Sequence, residues 1–451
     1  GASVADPRTG EIIKGHVSLG SLRIRQDFMI ALGLTEAPFA EGNDKSNQAL
    51  ELALARIRQL SAHEIGHTLG FAHNFAASAK NRSSVMDYPH PNLSLNEDKI
   101  DYSKAYEVGI GDWDKVSLAY AYSDFASEVD EKVALNQIIE KSYREGHRFI
   151  SDRDARPIGG AHPKAHLWDN GSTAYEELNN LMEIRDVALN KLSLDHLRKG
   201  EPYSTLEDRM VPMYLLHRYQ VEAVVKLIGG LDYDYAVKGP FVYKAKVVDA
   251  TIQRNALKAY SNVLMPEALK IPEQLRSLLP PRSFSNPRTR ENFLSQSGVA
   301  FDYLGVANSL SYAVLGMLLH PERANRLVTQ YGFDSNQLGL KETLDAIVDS
   351  HFKVNYRDSH EQQLNDIVKA NLLKQIMYLG QHPESNSIVK GLVHDELVRL
   401  DQWLAGQTNL GFRDFFRLEI GNYFDDPEDF VPPVSKRLPD GSPIGSFSCD
   451  Y

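Results

Sequence analysis

The feature that most constrains this chain is a group of three histidines and a glutamate near residue 65. They lie in the string His63-Glu64-Ile65-Gly66-His67-Thr68-Leu69-Gly70-Phe71-Ala72-His73. The preceding residues are rich in Ala, Leu, Gln, Glu and Arg, and the segment 47–69 holds neither Gly nor Pro before Gly66. This composition predicts one long helix, with Asp44 or Ser46 as a cap near its start.

The spacing of these residues predicts a metal site. His63 and His67 are four residues apart, so their imidazoles project from one helix face with Cβ atoms about 5–6 Å apart. Gly70 permits a sharp exit from the helix, and His73 then supplies a third ligand from the returning chain. Three imidazoles suit one catalytic Zn²⁺ with a fourth position left open for water. Glu64 is rotated by about 100° from His63 and reaches that water as a general base without binding the metal.

A second motif, Ser84-Val85-Met86-Asp87-Tyr88, follows the third histidine. Together with the zinc string it resembles the metzincin peptidases, in which a methionine-containing turn follows the zinc signature. The resemblance implies that Met86 packs beneath the three imidazoles and is not a ligand. It also implies a catalytic role for Tyr88, because some metzincins use a tyrosine at this place near the zinc or the substrate oxyanion. A plain buried tyrosine remains the alternative.

The character of the sequence changes near residue 125, and 451 residues are too many for one compact core. Before this point Asp6-Pro7-Arg8-Thr9-Gly10 predicts a turn, and residues 12–19 predict a strand. The resemblance to metzincins implies that this strand borders the cleft. After it the apolar spacing is mostly helical, as in 206–228 and 364–379. We therefore predict an α+β, predominantly α, fold: a truncated metzincin-like catalytic domain with a small sheet and the zinc helix, then a large helical region. The predicted divisions are a catalytic domain at 1–125, a helical region at 126–280, a second helical block at 281–426 and an extended tail at 427–451.

Residues 1–125 resemble uncharacterised bacterial zinc-dependent metalloproteases whose catalytic domain is followed by a long helical region. Compared with metzincins, the upper half is expected to be incomplete, because only 62 residues precede His63. We expect the first strand or two and the helix behind the zinc helix to be missing, and the start at Gly1-Ala2-Ser3 suggests a portion of a longer precursor. The helical region is predicted to pack against the catalytic part, since no long Gly/Ser linker separates them.

Composition and charge exclude several classes of protein. The net charge of −11, without clustered Lys and Arg, argues against a nucleic-acid partner. The single cysteine, Cys449, excludes internal disulfides and zinc sites built from several thiolates. Asp302 and Asn308 interrupt the apolar stretch 299–319, which predicts a buried helix and no membrane span.

The first residues show no signal peptide, although the family resemblance implies an extracytoplasmic location, periplasmic or secreted. The sequence does not indicate an oligomeric state.

The function that these residues predict is a zinc-dependent endopeptidase acting on a peptide or protein substrate. Two alternatives are another zinc amide hydrolase and a helical binding or scaffold protein with a vestigial metzincin site. The intact Glu64 favours an enzyme, because a decayed site loses its base easily.

Weaker patterns are assigned structural roles. Asp152-Arg153-Asp154 is interpreted as a solvated turn in preference to a Ca²⁺ site. His162 and His166 are predicted to be surface histidines, because Pro163 between them disfavours a helix. The segment 168–171 predicts a tight turn with a packing tryptophan.

Overall fold

The structure, a computed structural model, describes the following residues: 2–238, 243–408, 411–427, 430–432 and 438–439. Cys449 and most of the predicted tail at 427–451 lie outside the described residues.

Helices make up most of the described chain. In order they are α1 (Ser21–Leu34), α2 (Ser46–Thr68), α3 (Asp112–Tyr122), α4 (Glu131–Arg144), α5 (Asp152–Ala155), α6 (Ala174–Lys191), α7 (Glu207–Tyr214), α8 (Arg218–Val225), α9 (Ala250–Asn262), α10 (Pro266–Leu269), α11 (Glu273–Arg276), α12 (Tyr303–Leu318), α13 (Pro321–Phe333), α14 (Leu340–Phe352), α15 (Ser359–Gln381), α16 (Ser387–Ala405) and α17 (Arg413–Asp425). Short 3₁₀ helices lie at Leu194–His196 and Tyr203–Leu206.

The strands are short and pair as antiparallel hairpins. Within the described residues the pairs are β1 (Ala2–Ala5) with β2 (Ile12–His16), β3 (Phe39–Ala40) with β4 (Asn43–Asp44), β5 (Ser94–Asn96) with β6 (Lys99–Asp101), and β7 (Leu231–Asp232) with β8 (Lys246–Val247). Small sheets beside many helices confirm the predicted α+β, predominantly α, class. The turn predicted at 6–10 joins β1 to β2, and the amide of Gly10 donates to the carbonyl of Asp6 at 2.8 Å.

The zinc helix predicted at 47–69 is α2. At its start the carboxylate of Asp44 accepts a hydrogen bond from the amide of Ser46 at 2.8 Å. At its end Gly70 has a φ of +86°, a left-handed conformation that costs glycine little. The amide of Gly70 donates to the carbonyl of His67, and the amide of Phe71 donates to that of Gly66. These bonds terminate the helix and turn the chain back toward the histidines.

A helix that was not predicted, α1, packs along α2 and along α7. The expectation that no helix lies behind the zinc helix is therefore wrong. The apolar residues Phe28, Ala31 and Leu32 recur at helical spacing, and this pattern is the sequence signal for α1. A Cβ atom on Gly33 of α1 would lie 2.7 Å from the side chain of Met213, so α1 approaches α7 closely.

The apolar core runs through both parts of the chain. One cluster joins residues of α1 and α2, such as Leu32 and Leu52, with residues of helices as late as α17, such as Phe416. A smaller cluster joins Phe75 to Ile150 and Trp168. The prediction that the helical region packs against the catalytic part is confirmed by these contacts. The boundaries at 125 and 280 stay predictions.

Three stretches that were predicted to be helical can be compared with the observed helices. The stretch 299–319 contains the largely buried helix α12, as predicted. The stretch 206–228 forms two helices, α7 and α8, and α7 ends two residues after Pro212, which has no amide hydrogen to donate. The stretch 364–379 lies within α15. Among the described residues, every helix is too short or too polar to cross a membrane.

Candidate metal centre

The imidazoles of His63, His67 and His73 converge on one point. Nε2 of His67 lies 3.0 Å from Nε2 of His63 and 3.1 Å from Nε2 of His73. All three offer a nitrogen within 4.8 Å of the others. Nitrogens bound to one zinc at 2.0–2.1 Å in near-tetrahedral geometry lie roughly 3.3 Å apart. The spacing of the three rings therefore fits a zinc ion.

The other ring nitrogens fix how these imidazoles are oriented. Nδ1 of His63 donates to the carbonyl of Val85 at 2.7 Å, and Nδ1 of His67 donates to the carbonyl of Phe71 at 2.9 Å. Because a carbonyl oxygen only accepts, each ring carries its proton on Nδ1. The lone pair of each Nε2 then points toward the shared centre, as a zinc ligand requires.

The surroundings favour the neutral rings that a metal needs. Burial lowers the pKa of His63 well below its ordinary value, and the neighbouring His67 and His73 lower it further. Burial also lowers the pKa of His67, again with a contribution from His73. The negative charge of Glu64 acts on His67 in the opposite direction. Neutral imidazole is the form that binds zinc, so the electrostatics of these rings agree with their geometry.

The loop carrying the methionine is held by Asp114 of α3. Its carboxylate accepts hydrogen bonds from Ser84 Oγ at 2.5 Å, from the amide of Val85 at 2.8 Å and from the amide of Gly111 at 2.6 Å. The carbonyl of Val85 orients the first histidine, so α3 supports that ligand through the loop. Met86 is buried and packs against Gly66 of α2.

Tyr88 lies among the histidine rings. Its ring centroid is 5.1 Å from that of His63 and 4.8 Å from that of His73. It stacks on the buried Trp168 at 5.1 Å with an interplanar angle of 9°, so the predicted packing tryptophan is confirmed. The guanidinium of Arg156 lies 5.6 Å from the ring centroid of Tyr88. Burial alone would lower the pKa of Arg156, but the hydrogen bond and charge of Asp152 raise it, with a smaller contribution from the hydroxyl of Tyr88.

Glu64 follows His63 on α2, and its side chain is partly exposed. Glu64 is the neighbour of His63 in the chain, and it lies close enough to His67 for its negative charge to act on that ring. This placement is compatible with contact to water at the centre.

One residue beside the histidines, Asp152, is not among those that the sequence predicts at the centre. Its Oδ2 accepts a hydrogen bond from Nδ1 of His73 at 2.8 Å. Partial burial alone would raise the pKa of Asp152, but the bonds and charges of His73 and Arg156 outweigh it and lower the pKa below its ordinary value. The segment 152–154 is therefore a short helix at the metal centre, and its interpretation as a solvated turn is wrong.

The segment before α5 is joined to the chain that carries His73. The amide of Phe75 donates to the carbonyl of Ile150 at 2.8 Å. The side chain of Asn74 accepts from the amide of Ile150 at 3.2 Å and donates to the carbonyl of Arg148 at 2.8 Å. Residues 73–75 thus lie directly beside 148–150, which brings α5 to the histidines.

The prediction for His162 and His166 is wrong, because both are buried. Nε2 of His162 donates to the carbonyl of Tyr233 at 3.0 Å. Nε2 of His166 lies 3.2 Å from a carboxylate oxygen of Glu222. Burial lowers the pKa of each histidine to about 4. Pro163 argues correctly against a helix, but an irregular segment can still be packed inside the protein.

These features define a cluster of three histidines that fits a metal ion, with two of them on one helix and a methionine-containing loop beside it. A family described as Met-zincin matches residues 45–358 of the chain. The match covers more than two thirds of the sequence, and the chain belongs to the Met-zincin family. No curated protein and no solved structure matches the chain.

Proposed function

We propose that the chain is a zinc-dependent endopeptidase that hydrolyses peptide bonds in peptide or protein substrates. The convergence of three oriented imidazoles beside an intact Glu64 is the observation that carries this proposal. Membership of the Met-zincin family supports the broader class, a metzincin-type zinc peptidase. The assignment of His63, His67 and His73 as ligands of one Zn²⁺ belongs to the proposal.

The residues of the centre have different roles, some chemical and some structural. Bound zinc would supply Lewis acidity toward water and the scissile carbonyl. Glu64 takes a proton from the attacking water and passes it to the leaving amine. The hydroxyl of Tyr88 donates a hydrogen bond to the developing oxyanion. Met86 packs against the zinc helix and contributes no chemistry.

The hairpin of β1 and β2 offers a surface for the substrate backbone. It lies against the end of the zinc helix, where Ser3 Oγ donates to the carbonyl of His67 at 3.4 Å. Gly15 of β2 contacts Thr68, and a Cβ atom there would lie 2.5 Å from the threonine side chain. Among the described residues β2 pairs only with β1. An extended peptide is proposed to add to this edge, near Val17, through main-chain hydrogen bonds.

The two other functions predict different results. A zinc amide hydrolase with a small or cell-wall substrate would bind zinc yet leave proteins intact. A scaffold with a vestigial site would show no Glu64-dependent hydrolysis. The extracytoplasmic location rests on the family resemblance alone and is part of the proposal.

The test combines metal analysis with hydrolysis of a denatured protein mixture, with and without a chelator. We expect about one zinc per chain and chelator-sensitive cleavage. His67→Ala should lose the zinc, because two imidazoles hold it poorly. Glu64→Gln should keep the zinc and lose hydrolysis, because the amide cannot take a proton.

Matched variants on the surface control for the substitutions themselves. His394→Ala removes an exposed histidine of α16, and Glu51→Gln removes an exposed carboxylate of the zinc helix. Both should retain zinc and activity. Zinc retained at full occupancy in His67→Ala, or undiminished cleavage by Glu64→Gln, would reject the proposal.

A further inference from the structure

The three histidines of the centre differ in what holds their outer nitrogen. His63 and His67 donate to backbone carbonyls that lie 22 and 4 residues further along the chain, both within the predicted catalytic domain. The third, His73, donates to a side chain with a formal charge, Asp152, which lies 79 residues further along the chain. Only this ligand, among the three, is therefore oriented by the helical region.

Asp152 is itself held in place by its neighbours. Ser151 Oγ donates to Oδ2 at 3.2 Å, and Arg156 donates from Nε to Oδ1. The Arg156 guanidinium also lies 5.7 Å from the ring centroid of Phe75 and 5.6 Å from that of Tyr88. Both oxygens of the Asp152 carboxylate thus have donors, and one of these donors is His73.

The short helix α5 is anchored to the rest of the helical region. The carboxylate of Asp154 accepts from the hydroxyl of Tyr233 at 2.6 Å and from that of Tyr235. The buried ammonium of Lys226 donates to the carbonyl of Ala155. These contacts do not involve the histidines, and they fix the position of α5 independently of any metal.

We propose that Asp152 is a positioning residue for the zinc ligand His73, and that Arg156 keeps the Asp152 carboxylate in place. The carboxylate fixes the Nδ1 tautomer and the rotation of the ring, and its charge lies near a bound dication. Partners of this kind typically contribute 10–100-fold to metal affinity. The helical region would then be required for tight zinc binding, in addition to packing against the catalytic part. This inference rests on the proposed zinc site.

The test measures zinc affinity and does not use peptidase activity. The full chain is stripped of metal, and its zinc dissociation constant is measured by competition with a chromophoric chelator. We expect Asp152→Ala to bind zinc about 10–100-fold more weakly than the parent. Asp152→Asn keeps the shape but loses the charge, and it should weaken binding by about tenfold. The absorption spectrum of the Co²⁺-loaded protein should change in both variants, because the geometry at His73 changes.

Asp154→Asn is the matched control, since it lies in the same short helix and its amide can still form hydrogen bonds with the hydroxyls of Tyr233 and Tyr235, so that α5 stays in place. It should keep the zinc affinity within about twofold and leave the Co²⁺ spectrum unchanged, whatever its effect on the unfolding midpoint of the apoprotein. If Asp152→Ala does not fold, Asp152→Asn decides the test. Parent-like affinity in folded Asp152 variants overturns the inference, as does an equal loss in Asp154→Asn. A parent that binds no zinc would instead reject the proposed function.

Discussion

A Cβ atom on Gly66 of the zinc helix would lie 2.2 Å from Sδ of Met86. Met86 is 2% exposed, so its side chain has little room to move away. Gly66 lies between the two histidines of the helix, and the helix and the methionine loop are therefore in contact at the level of the metal centre. This contact leaves no space at position 66 for a side chain larger than that of glycine.

Gly66→Ala is expected to destabilise the protein, although alanine favours a helix. The gain in helix propensity is about 1 kcal/mol. The added methyl group forces Met86 out of its position, and such overpacking typically costs about 1–3 kcal/mol. We expect a net loss of about 1 kcal/mol in the free energy of unfolding, measured with urea.

Gly391→Ala in α16 is the control for this substitution. A Cβ atom there would meet no atom within 4 Å, so only the propensity gain remains. This variant should be more stable than the parent by up to about 1 kcal/mol. A Gly66→Ala protein stabilised to the same extent would show that the contact with Met86 is not tight.

Asp114→Ala is expected to loosen the loop that holds the first histidine. It removes a buried acceptor of three hydrogen bonds and leaves their donors unsatisfied. Losses of this kind amount to roughly 2–4 kcal/mol. Zinc affinity should fall as well, because Val85 loses its support and its carbonyl orients His63. Urea unfolding and chelator competition measure the two effects.

Asp112→Ala provides a neighbouring comparison, since its side chain is 73% exposed. It should change the free energy of unfolding by less than about 0.5 kcal/mol. A loss below about 1 kcal/mol in Asp114→Ala would mean that the loop is held by other contacts.

The parts of the centre that the sequence predicts are local in the chain. His63 and His67 are placed by helical spacing, and Gly70 brings His73 back within a few residues. Such short-range geometry follows from the residues themselves, because it depends on helix dimensions and on one glycine conformation. The methionine loop was recognised by resemblance to metzincins and not by geometry.

The parts that the sequence did not predict depend on long-range packing. Asp152 reaches His73 across 79 residues, and nothing in its neighbourhood distinguishes it from an exposed turn. His162 and His166 are buried because other segments pack over an irregular stretch. Local spacing carries no information about which distant segment covers a residue. Helix α1 is different, since the spacing of its apolar residues does indicate a helix.

The stability of the protein should depend on pH through Glu177 of α6. Burial raises the pKa of Glu177 from its ordinary value of 4.5 to about 7, although Asn180 and Arg82 act in the opposite direction. The folded state therefore favours the neutral acid, and the unfolded chain ionises first as the pH rises. The free energy of unfolding should fall between about pH 4.5 and 7, by up to about 3 kcal/mol from this group.

Glu177→Gln removes this titration. The variant should match the parent near pH 4.5 and be more stable than the parent at pH 8. The difference between the two urea unfolding profiles isolates Glu177, because contributions from other groups cancel. Glu176→Gln, at an exposed position, should follow the parent at every pH. A constant difference between Glu177→Gln and the parent would contradict the prediction.

Tyr88→Phe should slow catalysis without disturbing the metal. The ring that stacks on Trp168 and contacts His63 and His73 is retained, so fold and zinc content should survive. Only the hydroxyl is lost. Removing one oxyanion donor typically costs about 3 kcal/mol of transition-state stabilisation, or roughly a hundredfold in kcat. KM should change little, because the substrate carbonyl needs this donor less in the ground state. Steady-state kinetics on a peptide that the parent cleaves would measure both constants.

The hydroxyl of Tyr88 also bonds to Arg156, so an indirect effect must be separated from a direct one. If its loss acted through Arg156 and Asp152, zinc affinity would fall together with kcat. A direct role at the oxyanion lowers kcat at full zinc occupancy. Tyr219→Phe removes a hydroxyl from another ring that packs on Trp168, at 4.8 Å, and should leave kcat unchanged. An unchanged kcat in Tyr88→Phe would leave this tyrosine a packing role and assign the oxyanion to the metal alone.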